Sequence, residues 1–456
     1  MPINPQKLSP ARKAAFDILL AHYRRLSYAN LALDAELNKR NLSTRDAALT
    51  AVIVYGVVER RLTLDYQLRQ FLTKPLERIR PEIHIALLIG LYQIYFLDRV
   101  PDYSAIAQSV ELVKTIPAIR SMSGIVNAVL RRAQASEIIY PEPAETGDAA
   151  IAYLSIRHSV PEWICRLWKA AYPDHAEAML AASTGTADTY LRVNTEKTTT
   201  AALKDLLATN GVGAALVDDC ENALCLTKMR TNVVKLPGFS DGCFHVQDIS
   251  AQWACHALGA RAGETVFDLC AAPGGKSFTL AQMMRNDGKL IACELHDKRT
   301  KLIESGANRL GLTCVQTVCG DVRNRGVIDG KYGKADRILC DVPCSGLGIM
   351  KKKPDIREKT QADLDKLPEL QYNILCSGAE CLNVCGVLLY VTCTLNPAEN
   401  EGVCGRFLES HPDFDVLTPL PQFSTGIRSA EGFLTIPVSR NHDGFFMAKF
   451  QKRLIP

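Results

Sequence analysis

From about residue 246 onward, short apolar runs alternate with amphipathic stretches: TVFDLC at 265–270, KLIACEL at 289–295, TCVQTVC at 313–319, RILCDVP at 337–343 and GVLLYVTC at 386–393. Runs of this length read as buried strands, and strands separated by helical stretches imply a parallel sheet covered on both faces. No other feature narrows the fold as much. Open sheets of this kind bind ligands beyond the C-terminal ends of their strands, so the residues closing each run form the candidate site.

The turn after the first run is DLCAAPGGKS at 268–277. Cys270, Ala271, Ala272, Pro273, Gly274 and Gly275 are small enough for close backbone approach, and the helix that follows offers unpaired N–H groups to a carboxylate. Gly275-Lys276-Ser277 superficially resembles a phosphate-binding loop, but that motif needs a glycine where Cys270 stands, which disfavours a nucleotide triphosphatase. The absence of G-x-G-x-x-G at this turn weakens a dinucleotide reading as well. Glu294 closes the second run, twenty positions after Gly274, where an acid can accept both hydrogen bonds of a ribose diol. Asp321 follows the third run and suits an adenine amino group. Singly, each acid reads equally as a cap or a solvated turn residue. Jointly, the three strand ends suit an adenosine bearing an amino-acid tail.

Two cysteines follow the last two runs, Cys344 in CDVPCSG and Cys393 in LYVTCTL. Paired thiols beside a cofactor turn point to covalent methylation of a cytosine ring. Carbon 5 of cytosine is a poor nucleophile until a thiolate adds to carbon 6 and makes the ring an enamine. One thiol must attack, and a group must later remove a proton. A free cysteine is only about a few per cent thiolate near neutrality, so a cationic or polar setting has to help, with Lys276 as a candidate. The bland alternative is that either cysteine is one more buried thiol among sixteen. Asp341, three residues before Cys344, suits a hydrogen bond to the exocyclic amine or ring nitrogen of the base. The run Lys351-Lys352-Lys353-Pro354-Asp355-Ile356-Arg357 suits phosphates flanking a target base, or forms a solvated loop.

At 456 residues the chain exceeds a single core and implies about two to four domains. Phe16, Leu19, Leu20 and Tyr23 follow a helical stripe, repeated by Ile85, Leu88, Ile89, Tyr92 and Phe96, so the segment to about 135 reads as all helical. YPEPAETGDA at 140–149 reads as a linker and a domain boundary. Helical patterning resumes over 151–182. A small α/β stretch then starts at Tyr190–Asn194, with a helix at 199–210 and strands near 214–217 and 223–227.

The apolar stretch from Ile83 to Leu97 is too short to span a bilayer, and the N-terminus has no signal-like apolar core, so a cytoplasmic protein is expected. Sixteen cysteines without any C-x-x-C spacing imply reduced, buried thiols and no metal site. Residues 1–140 hold 19 Lys+Arg against 12 Asp+Glu, a net +7, which leaves −3 for the rest. Paired cations at Arg24-Arg25, Arg60-Arg61 and Arg131-Arg132 suit nucleic-acid phosphates, and suit solvated helix faces equally.

Taken in order, YGVVERRLTLD, GLYQIYFLDRVP, GIVNAVLRR, RVNT at 192–195, HVQD at 245–248, DLCAAPGGK, CDVPCSG, PDIR and VTCT resemble the RsmB/Sun (Fmu) family of S-adenosylmethionine-dependent ribosomal RNA cytosine-5 methyltransferases, nearly end to end. Departures are small: Val342 stands where alanine is usual, Ile249 where an acid often follows VQD, and Thr394 where serine often follows the second cysteine. The resemblance implies a multidomain chain. Residues 1–140 would form an all-α NusB-like RNA-binding domain, 141–182 a helical linker and 183–245 a small α/β subdomain of ferredoxin or RRM type. Residues 246–456 would form a Rossmann-like class I methyltransferase domain.

The same resemblance implies that Cys393 is the nucleophile, that Cys344 assists product release, and that Asp341 touches both base and cofactor. It places S-adenosylmethionine against residues 270–276, Glu294, Asp321 and Asp341, without a metal. The implied partner is 16S rRNA, free or in a partly assembled small subunit, recognised by a monomer with no membrane contact. A target cytosine must be splayed out of its stack, which loops and single strands make cheapest. Alternatives are another RNA substrate such as tRNA, or a non-catalytic ribosome assembly factor, against which the intact Cys344, Cys393, Asp341 and Glu294 argue. An amino-methylating enzyme would carry an acid or amide followed by Pro-Pro and an aromatic, and the run here is DVPC.

Overall fold

A computed structural model describes residues 8–25, 40, 42–228, 232–327, 331–420 and 426–454. The chain divides into two compact units, one of residues up to 184 together with 350–359, the other of 185–349 and 360 onward.

The first unit is helical, as the stripes predict. Helices span Pro10–Arg25, Thr44–Glu59, Arg61–Phe71, Pro81–Phe96, Asp102–Lys114 and Ser123–Gln134, followed by Gly147–His158, Glu162–Ala171 and Ala176–Ala182. The Ser43 hydroxyl caps the second helix by accepting from Asp46 N at 3.1 Å, and Pro81 opens the fourth, where a missing N–H costs nothing. The helix Pro81–Phe96 is buried on all sides from Ile83 to Gln93, which explains its uniform hydrophobicity. No helix among the described residues is long and apolar enough to cross a membrane.

The expected boundary at 140–149 falls inside this unit. Just before it, Ile139 is tied down by Gln67, whose side chain donates to Ile139 O at 2.6 Å and accepts from Ile139 N at 2.9 Å. Among the paired arginines, Arg24 binds Glu82, Arg61 binds Asp65, Arg60 lies over the Phe96 ring and Arg132 donates to Phe71 O. The Arg25 side chain lies outside the described residues.

The second unit holds two sheets. The smaller comprises β1 (Thr189–Val193), β2 (Gly213–Leu216), β3 (Ala223–Lys228) and β4 (Phe244–Val246) in the order β2-β3-β1-β4, all antiparallel, with the helix Thr200–Thr209. Three of these strands and the helix were expected; β4 was not.

The larger sheet comprises β5 (Thr265–Asp268), β6 (Lys289–Glu294), β7 (Val315–Cys319), β8 (Ala335–Asp341) and β9 (Leu382–Thr392), which are the five expected strands. They pair in parallel in the order β9-β8-β5-β6-β7. The expectation of a parallel sheet needs extending. An antiparallel edge continues it beyond β9 through β13 (Phe445–Lys452), β12 (Leu434–Ile436) and β11 (Ile427–Arg428), with β10 (Phe414–Leu417) also on β13. The strand β13 buries Phe445, Phe446, Met447, Ala448 and Phe450, so the last residues complete the core. Helices Ile249–Leu258, Gly275–Met283, Asp297–Leu310, Leu367–Glu380 and Glu401–Ser410 accompany the sheet. Asp248 caps the first of them by accepting from Ser250 N at 2.9 Å.

Candidate active site

The site forms at the C-terminal ends of β5, β6, β8 and β9, where parallel strands expose their last residues. After β5, the turn runs through a cis Ala272–Pro273 peptide into Gly274, whose φ is +109°. A Cβ there would stand 2.3 Å from the Phe278 ring, so glycine is required both for conformation and for space. Gly274 leads into the helix Gly275–Met283, whose first N–H groups open toward the strand ends. Ala271 N bonds Cys293 O at 2.8 Å, which ties the turn to β6. The Cys270 thiol is held far above its ordinary value by burial.

Glu294 is buried at the end of β6, where it accepts from His296 N at 3.1 Å and pairs with Arg299 at 3.1 Å. Arg299 also donates to Ala272 O at 2.9 Å, so one guanidinium joins the acid to the turn. Asp321 follows β7 with its carboxylate already engaged. Arg323, two residues on, engages both its carboxylate oxygens at 2.6–3.1 Å and holds it below the usual carboxylate range.

The last residue of β8, Asp341, forms an ion pair with Lys276 at 2.6 Å. Burial alone would lower the Lys276 ammonium, but the Asp341 carboxylate outweighs it and raises it above its ordinary value. Lys276 also faces the Phe445 ring at 5.2 Å. Register pairing of Asp341 with Val391 on β9 aligns the ends of the two strands from which both cysteine loops depart.

The Sγ atoms of Cys344 and Cys393 are 3.3 Å apart. Both side chains are half-buried. The Cys344 thiol, donating to Cys393, favours a thiolate there; Lys276 adds to this lowering, while burial and the Asp341 charge oppose it, and the Cys393 value ends below that of an ordinary thiol. Cys344 moves the opposite way and is held well above an ordinary thiol by the Cys393 hydrogen bond and by burial. The two thiols are therefore driven apart, Cys393 toward the thiolate and Cys344 toward the protonated form. Fully buried cysteines of this unit such as Cys255, Cys293 and Cys340 are raised by burial, away from the thiolate.

Two groups of residues here were not singled out from sequence. Asp268 is buried at the end of β5; its Oδ2 accepts from Ser277 Oγ at 2.6 Å while Oδ1 meets no protein donor. Burial pushes its carboxyl up to about 7. Glu399 lies fully buried behind the two cysteine loops, and only its position in the polar run NPAENEG is visible in sequence. The basic run at 351–357 divides: Lys352 and Lys353 are exposed, whereas Arg357 is buried in the helical unit. The expectation that Arg357 contacts phosphates is therefore corrected. Its guanidinium donates to the carbonyls of Ser159, Met350 and Ser183 at 3.1, 2.8 and 2.5 Å. No cluster of His, Cys, Asp and Glu able to hold a metal occurs among the described residues.

Residues 255–451 match the model of 16S rRNA methyltransferase RsmB/F, residues 9–135 that of the NusB family, and residues 160–233 a ferredoxin-like domain of RsmF/B-like methyltransferases. The "Probable ribosomal RNA small subunit methyltransferase B" of Synechocystis sp. is 35% identical over 450 residues, covering 97% of this chain and 99% of its own. The ribosomal RNA small subunit methyltransferase B of Sodalis glossinidius is 34% identical over 413 residues, with 90% and 91% covered. The chain belongs to the RsmB/F family. A crystal structure of a methyltransferase homologue from Pyrococcus horikoshii is similar with a TM-score of 0.59 and 27% identity, covering 66% of this chain and 99% of that one. For an RsmB/F family member, the helical, ferredoxin-like and Rossmann-like parts found here are the expected fold.

Proposed function

We propose that the protein methylates carbon 5 of a cytosine in small-subunit (16S) ribosomal RNA, through a transient bond between Cys393 and carbon 6. The observation that carries this reading is the 3.3 Å approach of Cys344 and Cys393 beside the Lys276–Asp341 pair. Relatives named as ribosomal RNA small subunit methyltransferase B support the choice of RNA.

The β5 turn fits S-adenosylmethionine. Gly274 leaves room where any side chain would intrude, the helix start offers N–H groups to a carboxylate, and the unpaired Asp268 Oδ1 suits an ammonium. Residues 270–275 would line it, with Glu294 at the ribose and Asp341 near the methionine end. Asp321, held by Arg323, would reach the adenine only by sharing its carboxylate. When bound, the cofactor supplies a methyl cation to carbon 5.

The protein's own part is proton and electron management. Cys393 attacks carbon 6 as a thiolate, and the ring becomes an enamine neutralised by the proton that Cys344 had held. Asp341, fixed by Lys276, accepts from the exocyclic amine and orients the base. After methylation Cys344, now a thiolate, takes the proton from carbon 5. The carbon 5–carbon 6 double bond re-forms, the sulfur–carbon bond breaks, and one proton passes to solvent.

The test is to incubate the purified protein with methyl-labelled cofactor and unmodified 16S rRNA, then digest the RNA and identify the labelled nucleoside. 5-Methylcytidine is expected. Label on another base or on an exocyclic nitrogen overturns the reading, and RNA binding without label would make the protein a non-catalytic assembly factor.

A further inference from the structure

The proposed chemistry needs Cys344 to sit against Cys393, yet the two lie on separate loops 49 residues apart in sequence. Behind them a single carboxylate gathers both loops. Glu399 Oε2 accepts from Ser345 N at 2.8 Å and from Gln371 Nε2 at 2.9 Å, and Oε1 accepts from Ser345 Oγ at 2.5 Å and from Asn396 Nδ2 at 2.9 Å. All four partners are neutral donors, and Glu399 is fully buried. Because the Ser345 proton goes to Glu399, the 2.6 Å contact between Ser345 Oγ and Thr394 Oγ1 has Thr394 as its donor. Gln371 also donates to Pro343 O at 2.9 Å.

The residues on either side of Cys344, and the residue after Cys393, thus all end on one acid. We infer that Glu399 is a positioning residue for methyl transfer: without touching the reacting atoms, it holds the Cys344 loop against the Cys393 loop through Ser345 and Thr394. This inference rests on the proposed roles of the two thiols.

Only a carboxylate satisfies this arrangement. Each of its oxygens accepts from two donors, so the amide of Glu399→Gln either meets the N–H groups of Ser345 and Gln371 with its own NH2 or reverses the Ser345 hydroxyl and opposes the Asn396 amide, and each arrangement disturbs the Ser345–Thr394 link. In full-length protein, Glu399→Gln is expected to reduce kcat for methyl transfer about tenfold to a hundredfold, as misplacement on the order of 1 Å does, with KM for the cofactor unchanged. A readout that a purely structural role would not move is the pH midpoint for alkylation of Cys393 by iodoacetamide, followed by peptide mass spectrometry in the absence of RNA. That midpoint should rise by about one unit, because Cys344 no longer donates a hydrogen bond to the thiolate.

Thr394→Val, close in shape, cuts the same network at its other end and should raise the midpoint likewise, even if Glu399→Gln fails to fold. Tyr390→Phe serves as the control. It removes only the 2.6 Å bond to the backbone carbonyl of Glu399, and should lower the melting temperature with midpoint and kcat unchanged. A lower melting temperature in Glu399→Gln or Thr394→Val with midpoint and kcat at wild-type values overturns the inference. Cys344→Ala separates the two levels of the argument: if it leaves the Cys393 midpoint unmoved, the proposed thiol pairing fails, not merely the part given to Glu399.

Discussion

At the residue scale, the opposite shifts of Cys344 and Cys393 suit them to different tasks. The thiol held low suits attack, and the one held high suits taking up a proton. Cys393→Ala should therefore abolish methyl transfer with cofactor affinity kept, as calorimetry with S-adenosylhomocysteine would measure. Cys344→Ala should stall after transfer and leave an RNA–protein adduct that survives a denaturing gel. An adduct formed by the Cys393 variant instead would exchange the two roles.

Asp268 gives a pH prediction. Its folded-state value of about 7 lies above the ordinary carboxylate range, so the folded protein binds the proton more tightly than the unfolded chain. The associated stability is fully present below about pH 4 and is lost as pH rises through about 7, amounting to at most on the order of 4 kcal/mol. Asp268→Asn should flatten the melting temperature across that window, and an unchanged slope would refute the assignment. Cys344, Cys393 and Asp341 could be picked out from sequence because they stand at the ends of apolar strand-like runs. Glu399 could not. An acid in a polar loop looks solvated until the fold supplies donors such as Ser345, 54 positions away.

The element that carries most of the site is the turn between β5 and its helix. Gly274 and Gly306 both give way to the Phe278 ring, where a Cβ would come within 2.3 and 2.4 Å. Gly274→Ala should cost about 1 to 3 kcal/mol from the positive φ alone, read as a lowered melting temperature, and should weaken cofactor binding further. The strands β5–β9 were legible because each carries a short apolar run and the runs alternate with helical stretches. The three-residue β4 is too short to show periodicity. The edge formed by β10–β13 escaped detection because β11 and β12 are only two and three residues long, and β13 joins the sheet through β9, more than fifty positions earlier in the chain.

On the scale of the whole molecule, the helical stripes anticipated the helices up to about residue 135, but nothing in the sequence revealed that the unit runs on to 184 and that 350–359 completes it. There Pro354, Asp355, Ile356 and Arg357 are all buried, and His22 bonds Glu358 at 3.0 Å. Arg357→Met should destabilise this unit by about 2 to 4 kcal/mol, since it strands buried carbonyls of Ser159, Met350 and Ser183; urea denaturation of the full chain would measure the loss. A fragment starting at residue 185 should be less soluble than the intact protein, because Pro354 and Ile356 lose the surroundings that bury them.

This interleaving also orders the protein's birth. As a ribosome releases the chain, the helices up to residue 184 emerge early, yet the piece that seals them arrives only after β8 and the Cys344 loop have been made. The N-terminal third therefore waits, unfinished, for a decapeptide threaded out of the middle of its neighbour, and neither half can be cut free with a single scission.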